Sequence, residues 1–231
     1  MRWNHPQQGF LTPDRFVPLA EQAGLIGALT EWVLERALHD LAQLHRHGHA
    51  LHVAVNLSAR SLYDPGLPST VAGHLARAGV APEFLVLELT ESAVMANPAE
   101  SLAILGELDA MRVKLAIDDF GTGYSSLAYL KRLPVDELKI DKSFVLDMER
   151  NESDAVIVRS TIDLAHNLGL SVTAEGVENA TIFEQLGRLG CDRVQGYFLA
   201  RPMSFEALTS WLRSSCWSGG QAEDASVAQS Q

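Results

Sequence analysis

Short apolar runs alternate along this chain with longer stretches of helical period. The runs over 51–58, 84–91, 113–119, 135–141, 170–178 and 191–197 are rich in Val, Ile and Leu and predict buried strands. Between them, helices are predicted over 12–23, 28–47, 68–78, 98–111, 152–168, 181–189 and 204–212, with one more ending near Leu133 and Pro134. The 28–47 stretch is the clearest, since Leu34, Ala37, Leu38, Leu41 and Leu44 step along one face before Gly48. Thr12 with Pro13, and later Ser204, supply helix starts, while Gly24 and Gly169 supply stops.

Almost every predicted strand ends on a polar side chain: Asn56, Glu88, Asp118, Lys139, Glu175 and Gln195. The separations of 32, 30, 21, 36 and 20 residues suit one strand and one helix each. An open doubly wound sheet gathers ligands at a switch point, whereas the strand ends of a barrel converge on one mouth. The expected fold is therefore α/β, a modified TIM-type (β/α) barrel. A glutamate such as Glu88 inside an apolar strand needs a partner, and alternation puts Lys139 and Asp141 on one side, away from Leu138 and Ile140.

The strand over 113–119 closes on two adjacent carboxylates, Asp118 and Asp119, before a loop with two glycines. Two readings stand: a cation bound between or beside them, or a solvated pair capping the next helix. Asn56, Glu88, Asp118 and Asp119 offer only oxygen donors, which suits Mg²⁺ or Mn²⁺ better than Zn²⁺. Adjacent aspartates can each reach a different ion, the arrangement expected for two-metal hydrolysis of a phosphodiester. Lys139 could orient or deprotonate a water or offset phosphate charge; alternatively it forms an ion pair with Asp141 or Glu175. The loop over 120–126 reads as a movable, ligand-sensing lid.

Bulk properties narrow the picture. At 231 residues, with 47% hydrophobic and 20% charged residues, one large domain over 1–213 is expected, followed by a disordered tail over 214–231 rich in Ser, Gly, Ala and Gln. No apolar run reaches a membrane-spanning length and the first residues lack a signal-peptide core, so a cytoplasmic location is the expectation. The net charge of -11 argues against binding DNA or RNA polymers or anionic membranes, and a phosphate substrate needs local cations. Cys191 and Cys216 read as ordinary reduced thiols. His45, His47, His49 and His52 leave two readings, a zinc site or dipolar residues near a helix C-terminus.

Six ordered motifs carry a resemblance: Val55-Asn56-Leu57-Ser58, Glu88-Leu89-Thr90-Glu91-Ser92, Asp118-Asp119-Phe120-Gly121-Thr122-Gly123-Tyr124-Ser125-Ser126-Leu127, Leu138-Lys139-Ile140-Asp141, Glu175-Gly176-Val177-Glu178 and Gln195-Gly196-Tyr197. Over 2–212 the chain resembles the EAL-domain family. The resemblance implies a modified TIM barrel that hydrolyses cyclic di-GMP to linear pGpG with two Mg²⁺ or Mn²⁺ ions. It implies that Asn56, Glu88 and Asp118 hold one ion and Asp119 the second, that Lys139 is the water-activating base, and that Glu175 and Gln195 are further active-site groups. It implies too that Glu91 anchors the loop after Asp119, that Arg2 contacts a substrate phosphate, and that the region after that loop can form a homodimer. The namesake Glu-Ala-Leu falls just before Arg2-Trp3, so the barrel is expected to be truncated at its first strand and without that metal-ligand glutamate. A piece of a longer enzyme, a fragment that does not fold alone, and a module that binds cyclic di-GMP without cleaving it are the three explanations left open.

Overall fold

The computed structural model describes residues 1–123 and 127–217. An antiparallel hairpin, β1 (Trp3–His5) and β2 (Gly9–Leu11), comes first. Then follow α1 (Pro13–Gln22), α2 (Ile26–Arg46), β3 (Val53–Leu57), α3 (Ala59–Leu62), α4 (Leu67–Ala78), β4 (Leu85–Thr90), α5 (Glu91–Ala96), α6 (Pro98–Ala110) and β5 (Lys114–Phe120). The chain continues through α7 (Leu127–Leu130), β6 (Glu137–Ile140), α8 (Lys142–Asp147), α9 (Glu152–Asn167), β7 (Ser171–Glu175), α10 (Ala180–Arg188), β8 (Arg193–Gln195) and α11 (Phe205–Ser214).

Strands β3 to β8 pair in parallel and in sequence order, forming one six-stranded sheet. Its edges are β3 and β8, yet Ala54 of β3 and Arg193 of β8 line the same cavity of about 530 Å³, so the sheet curls toward a barrel. The α/β barrel expectation holds as an open, curled sheet whose edge strands do not pair with each other. The core lies between the sheet and its helices: Leu34, Leu38 and Leu41 of α2, Leu105 and Leu108 of α6, and Val158 and Ile162 of α9 are buried with Leu87, Leu115, Leu138 and Val172 of the strands. That burial explains why the strands read as near-continuous apolar runs. No helix among the described residues is long and apolar enough to cross a membrane.

The structure differs from the hydrophobic pattern mainly in short elements. Helices α3, α5 and α8 each follow a strand directly and start from a side-chain cap: Ser58 accepts from Ser61 N at 3.1 Å, Thr90 from Ala93 N at 3.3 Å and Asp141 from Ser143 N at 3.0 Å. Elements of one or two turns have no room for a helical period. Past α11, Trp217 packs on Phe183 and Phe198 with centroids 5.2 and 6.0 Å away, so the polar tail begins later than Ser214. Residues 218–231 lie outside the described residues.

Candidate functional site

The C-terminal ends of the parallel strands bring together Asn56 from β3, Glu88 from β4, Asp118 and Asp119 from β5, Lys139 from β6, Glu175 from β7 and Gln195 from β8. At the centre is Lys139, 3% exposed. Its Nζ lies 2.7 Å from Glu88 Oε1, 3.2 Å from Asp118 Oδ1 and 2.6 Å from Glu175 Oε1. Of the two ion-pair partners expected from sequence, Glu175 is the one found. Asp141 instead accepts from the Ser143 amide and hydroxyl at the start of α8, where its charge also acts on Asp119. Glu88 has its partners too, since Asn56 Nδ2 donates to Glu88 Oε2 at 2.9 Å. Asn56 thereby keeps its amide oxygen available as a donor atom.

Two adjacent aspartates serve one site because β5 is irregular there. In a regular strand neighbouring side chains point to opposite faces. The register of β5 against β6 shifts between Ile117 and Phe120, and Asp119 sits at φ 55°, a left-handed conformation costly for an L side chain. This bulge turns both carboxylates to the mouth, and oxygens of Asp118, Asp119 and Glu175 lie within 4.8 Å of one another.

The loop after the bulge is tied to Glu91, whose buried carboxylate accepts from Gly121 N at 3.2 Å. Gly123 lies so close that a Cβ there would sit 2.8 Å from Glu91 Oε1. Glu91 therefore contacts the loop at Gly121 and Gly123; of the lid expected over 120–126, residues 124–126 lie outside the described residues.

Electrostatically the cluster is an acidic cage around one cation. Burial works to lower the pKa of Lys139, but the charges of Glu88, Asp118 and Glu175 outweigh it and hold the group protonated, above its ordinary value. Burial raises the Glu88 carboxyl, as do Asp118 and Glu175, against the opposing pull of Lys139. Burial first, then the charges of Asp118, Asp141 and Glu175, push Asp119 up to about 6. Crowded carboxylates that offer only oxygen donors are chemically fitted to a hard divalent cation.

Two sequence-predicted residues make no hydrogen bond or ion pair with Lys139 among the described residues. Gln195 lines the same cavity as Lys139 and Glu88, with its backbone carbonyl accepting from Val177 N at 3.0 Å. Arg2 is exposed; its guanidinium donates to Met1 O at 2.7 Å, and it borders an apolar groove with Trp3, Phe16 and Trp32. Among the described residues no hydrogen bond or ion pair joins Arg2 to the cluster. The histidines take the bland reading: His45 Nε2 bonds Leu51 O at 2.9 Å, His47 bonds Gln43 O at 2.8 Å, and His45 and His52 pack on Phe84. Among the described residues, the group placed to hold a metal is Asp118, Asp119 and Glu175. Asp141, expected from sequence beside Lys139, instead acts on Asp119.

The family model of the EAL domain matches residues 1–202. The bifunctional diguanylate cyclase/cyclic di-GMP phosphodiesterase MucR of Pseudomonas aeruginosa is 48% identical over 209 residues, covering 90% of this chain and 30% of that protein. The cyclic di-GMP phosphodiesterase NbdA of the same organism is 48% identical over 214 residues, 92% of this chain and 27% of that protein. The chain thus spans less than a third of these relatives. Among solved structures, the PaMucR phosphodiesterase in complex with c-di-GMP superposes with a TM-score of 0.87 at 48% identity, over 90% of this chain and 84% of that one. The FimX EAL domain from Pseudomonas aeruginosa bound to c-di-GMP gives 0.81 at 29% identity, over 88% and 82%. With the strand order, the acidic mouth and a family match along most of its length in agreement, the chain belongs to the EAL domain family.

Proposed function

We propose that this domain hydrolyses a phosphodiester bond of cyclic di-GMP to give linear pGpG, using two divalent cations, Mg²⁺ or Mn²⁺. The observation that carries this reading is the convergence of Asn56, Glu88, Asp118, Asp119 and Glu175 around the buried ammonium of Lys139. The names of the two P. aeruginosa relatives give the substrate. Asn56, Glu88 and Asp118 would hold one ion and Asp119 the other. When bound, such ions polarise the phosphodiester oxygens and lower the pKa of a water to generate the nucleophile.

The chain's own groups define the rest. Lys139 stands where a water could be held and its proton taken at Nζ. The three carboxylates around it oppose loss of the ammonium proton, so its service as a base depends on their charge being compensated. Glu175 fixes Lys139 through the 2.6 Å contact, and Gln195 presents an amide to the substrate from the edge of the cavity. Arg2 supplies a guanidinium for a phosphate oxygen once the nucleotide is seated.

A second reading, binding without cleavage, is favoured by one observation: β3, which carries Asn56, is a sheet edge with no strand beside it to add a further ligand among the described residues. Incubating the chain with cyclic di-GMP and Mn²⁺ and separating the recovered nucleotides tests both. Linear pGpG that disappears with a chelator supports hydrolysis; bound but unchanged cyclic di-GMP supports the receptor; no binding contradicts both.

A further inference from the structure

One layer beneath the strand-end site lies a second polar tier. Side chains two residues apart on a strand share a face, so Glu137 lies under Lys139 on β6, Thr173 under Glu175 on β7 and Arg193 under Gln195 on β8. All three line the cavity that also reaches Lys139 and Gln195. Barrel interiors at this depth are ordinarily filled by Val, Ile and Leu. Here the buried Thr173 hydroxyl donates to Glu137 Oε1, and Arg193 Nη1 donates to Glu137 Oε2 at 2.9 Å and to Ser171 Oγ at 3.2 Å.

The connectivity matters more than the charges. Strand β8 has three residues and is the edge of the sheet, paired only with β7 through Thr173↔Arg193, Ala174↔Val194 and Glu175↔Gln195. The Arg193 side chain touches Ser171 at the start of β7 and reaches past it to β6, where Glu137 pairs in register with Ser171. A short edge strand with one ladder frays readily, and a second attachment two strands away opposes that. The geometry points to Glu137, Thr173 and Arg193 as a positioning tier that clasps β8 to β6 and so keeps Gln195 over the site. The carboxylate of Glu137 is the hub, accepting from both neighbours. The consequence at Gln195 rests on the phosphodiesterase reading; the clasp itself does not.

The test compares the native chain with Arg193→Met, Glu137→Ala and Glu137→Gln. Arg193 is largely solvent-exposed, so its variant keeps the fold even if Glu137→Ala does not, with circular dichroism as the check. Amide hydrogen exchange of the segment containing β8 should quicken by about tenfold in Arg193→Met and Glu137→Ala. The KM for cyclic di-GMP should rise by about tenfold in the same variants, with kcat changed by less than about threefold. Glu137→Gln keeps one oxygen to accept from Arg193, with its amide N–H turned to the Thr173 hydroxyl oxygen, and should restore most of both. Exchange at β8 or a KM that stays native in Arg193→Met overturns the proposal. A native chain that neither binds nor cleaves cyclic di-GMP overturns the phosphodiesterase reading, and exchange at β8 then decides the clasp by itself.

Discussion

At the residue scale, Lys139 has the most to lose. Its buried ammonium offsets part of the charge of Glu88, Asp118 and Glu175, and removing one partner of a buried ion cluster leaves charges uncompensated. Lys139→Met should therefore lower metal-free stability by about 3 kcal/mol in urea unfolding, and added Mn²⁺ should recover part of the loss. Asp119 gives a pH dependence of definite sign. Its folded pKa is raised from the usual 3.8 to about 6, so its contribution to metal-free stability is present below 3.8 and is lost as pH rises through 6. A cation taking that carboxylate must displace the proton, so Mn²⁺ affinity by calorimetry should fall as pH drops below about 6, with the dependence weakened in Asp119→Asn. The two thiols should also separate. Burial pushes Cys191 up to about 11, while Cys216 is exposed, so a thiol reagent near neutral pH should label Cys216 quickly and Cys191 only slowly.

At the element scale, the decisive feature is the bulge of β5 with the loop that follows. Gly123→Ala places a methyl 2.8 Å from Glu91 Oε1, within a contact that must shift. It should cost about 1–2 kcal/mol of stability and reduce turnover more than the stability loss explains, by comparison of melting temperature with kcat. Glu91, quoted in the sequence as part of a motif, was legible as an anchor only through resemblance; its bond to Gly121 spans elements that no local pattern relates. The long helices and six parallel strands were readable because burial on one helix face, or on both strand faces, leaves a period in the sequence. Helices α3, α5 and α8 were not, because they are capped elements of only one or two turns after strands. The hairpin β1–β2 was missed as well. Its turn at Gln7 and Gln8 is held by His5 Nδ1 accepting from both amides at 3.1 Å, and its strands are three residues each.

At the scale of the whole molecule, function follows from convergence. Residues spread from Asn56 to Gln195 meet because parallel strands in sequence order present their C-terminal ends together. The polar strand ends could be read from sequence, as could the oxygen-only donor set. What could not be read is that Lys139 occupies the centre of the carboxylates, since distances across strands depend on how the sheet curls. The same limit hid Asp141 beside Asp119, and the clasp from Arg193 to Glu137 across an intervening strand. The most direct measurement is the rate of linear pGpG formation from cyclic di-GMP as Mn²⁺ is titrated into the metal-stripped chain and into Asp119→Asn. Saturable, Mn²⁺-dependent product in the native chain, reduced at least about a hundredfold in the variant, is the predicted result. Product that forms equally well with chelator present, or equally well in Asp119→Asn, would contradict the assignment of the acidic mouth as the metal-bearing site of hydrolysis.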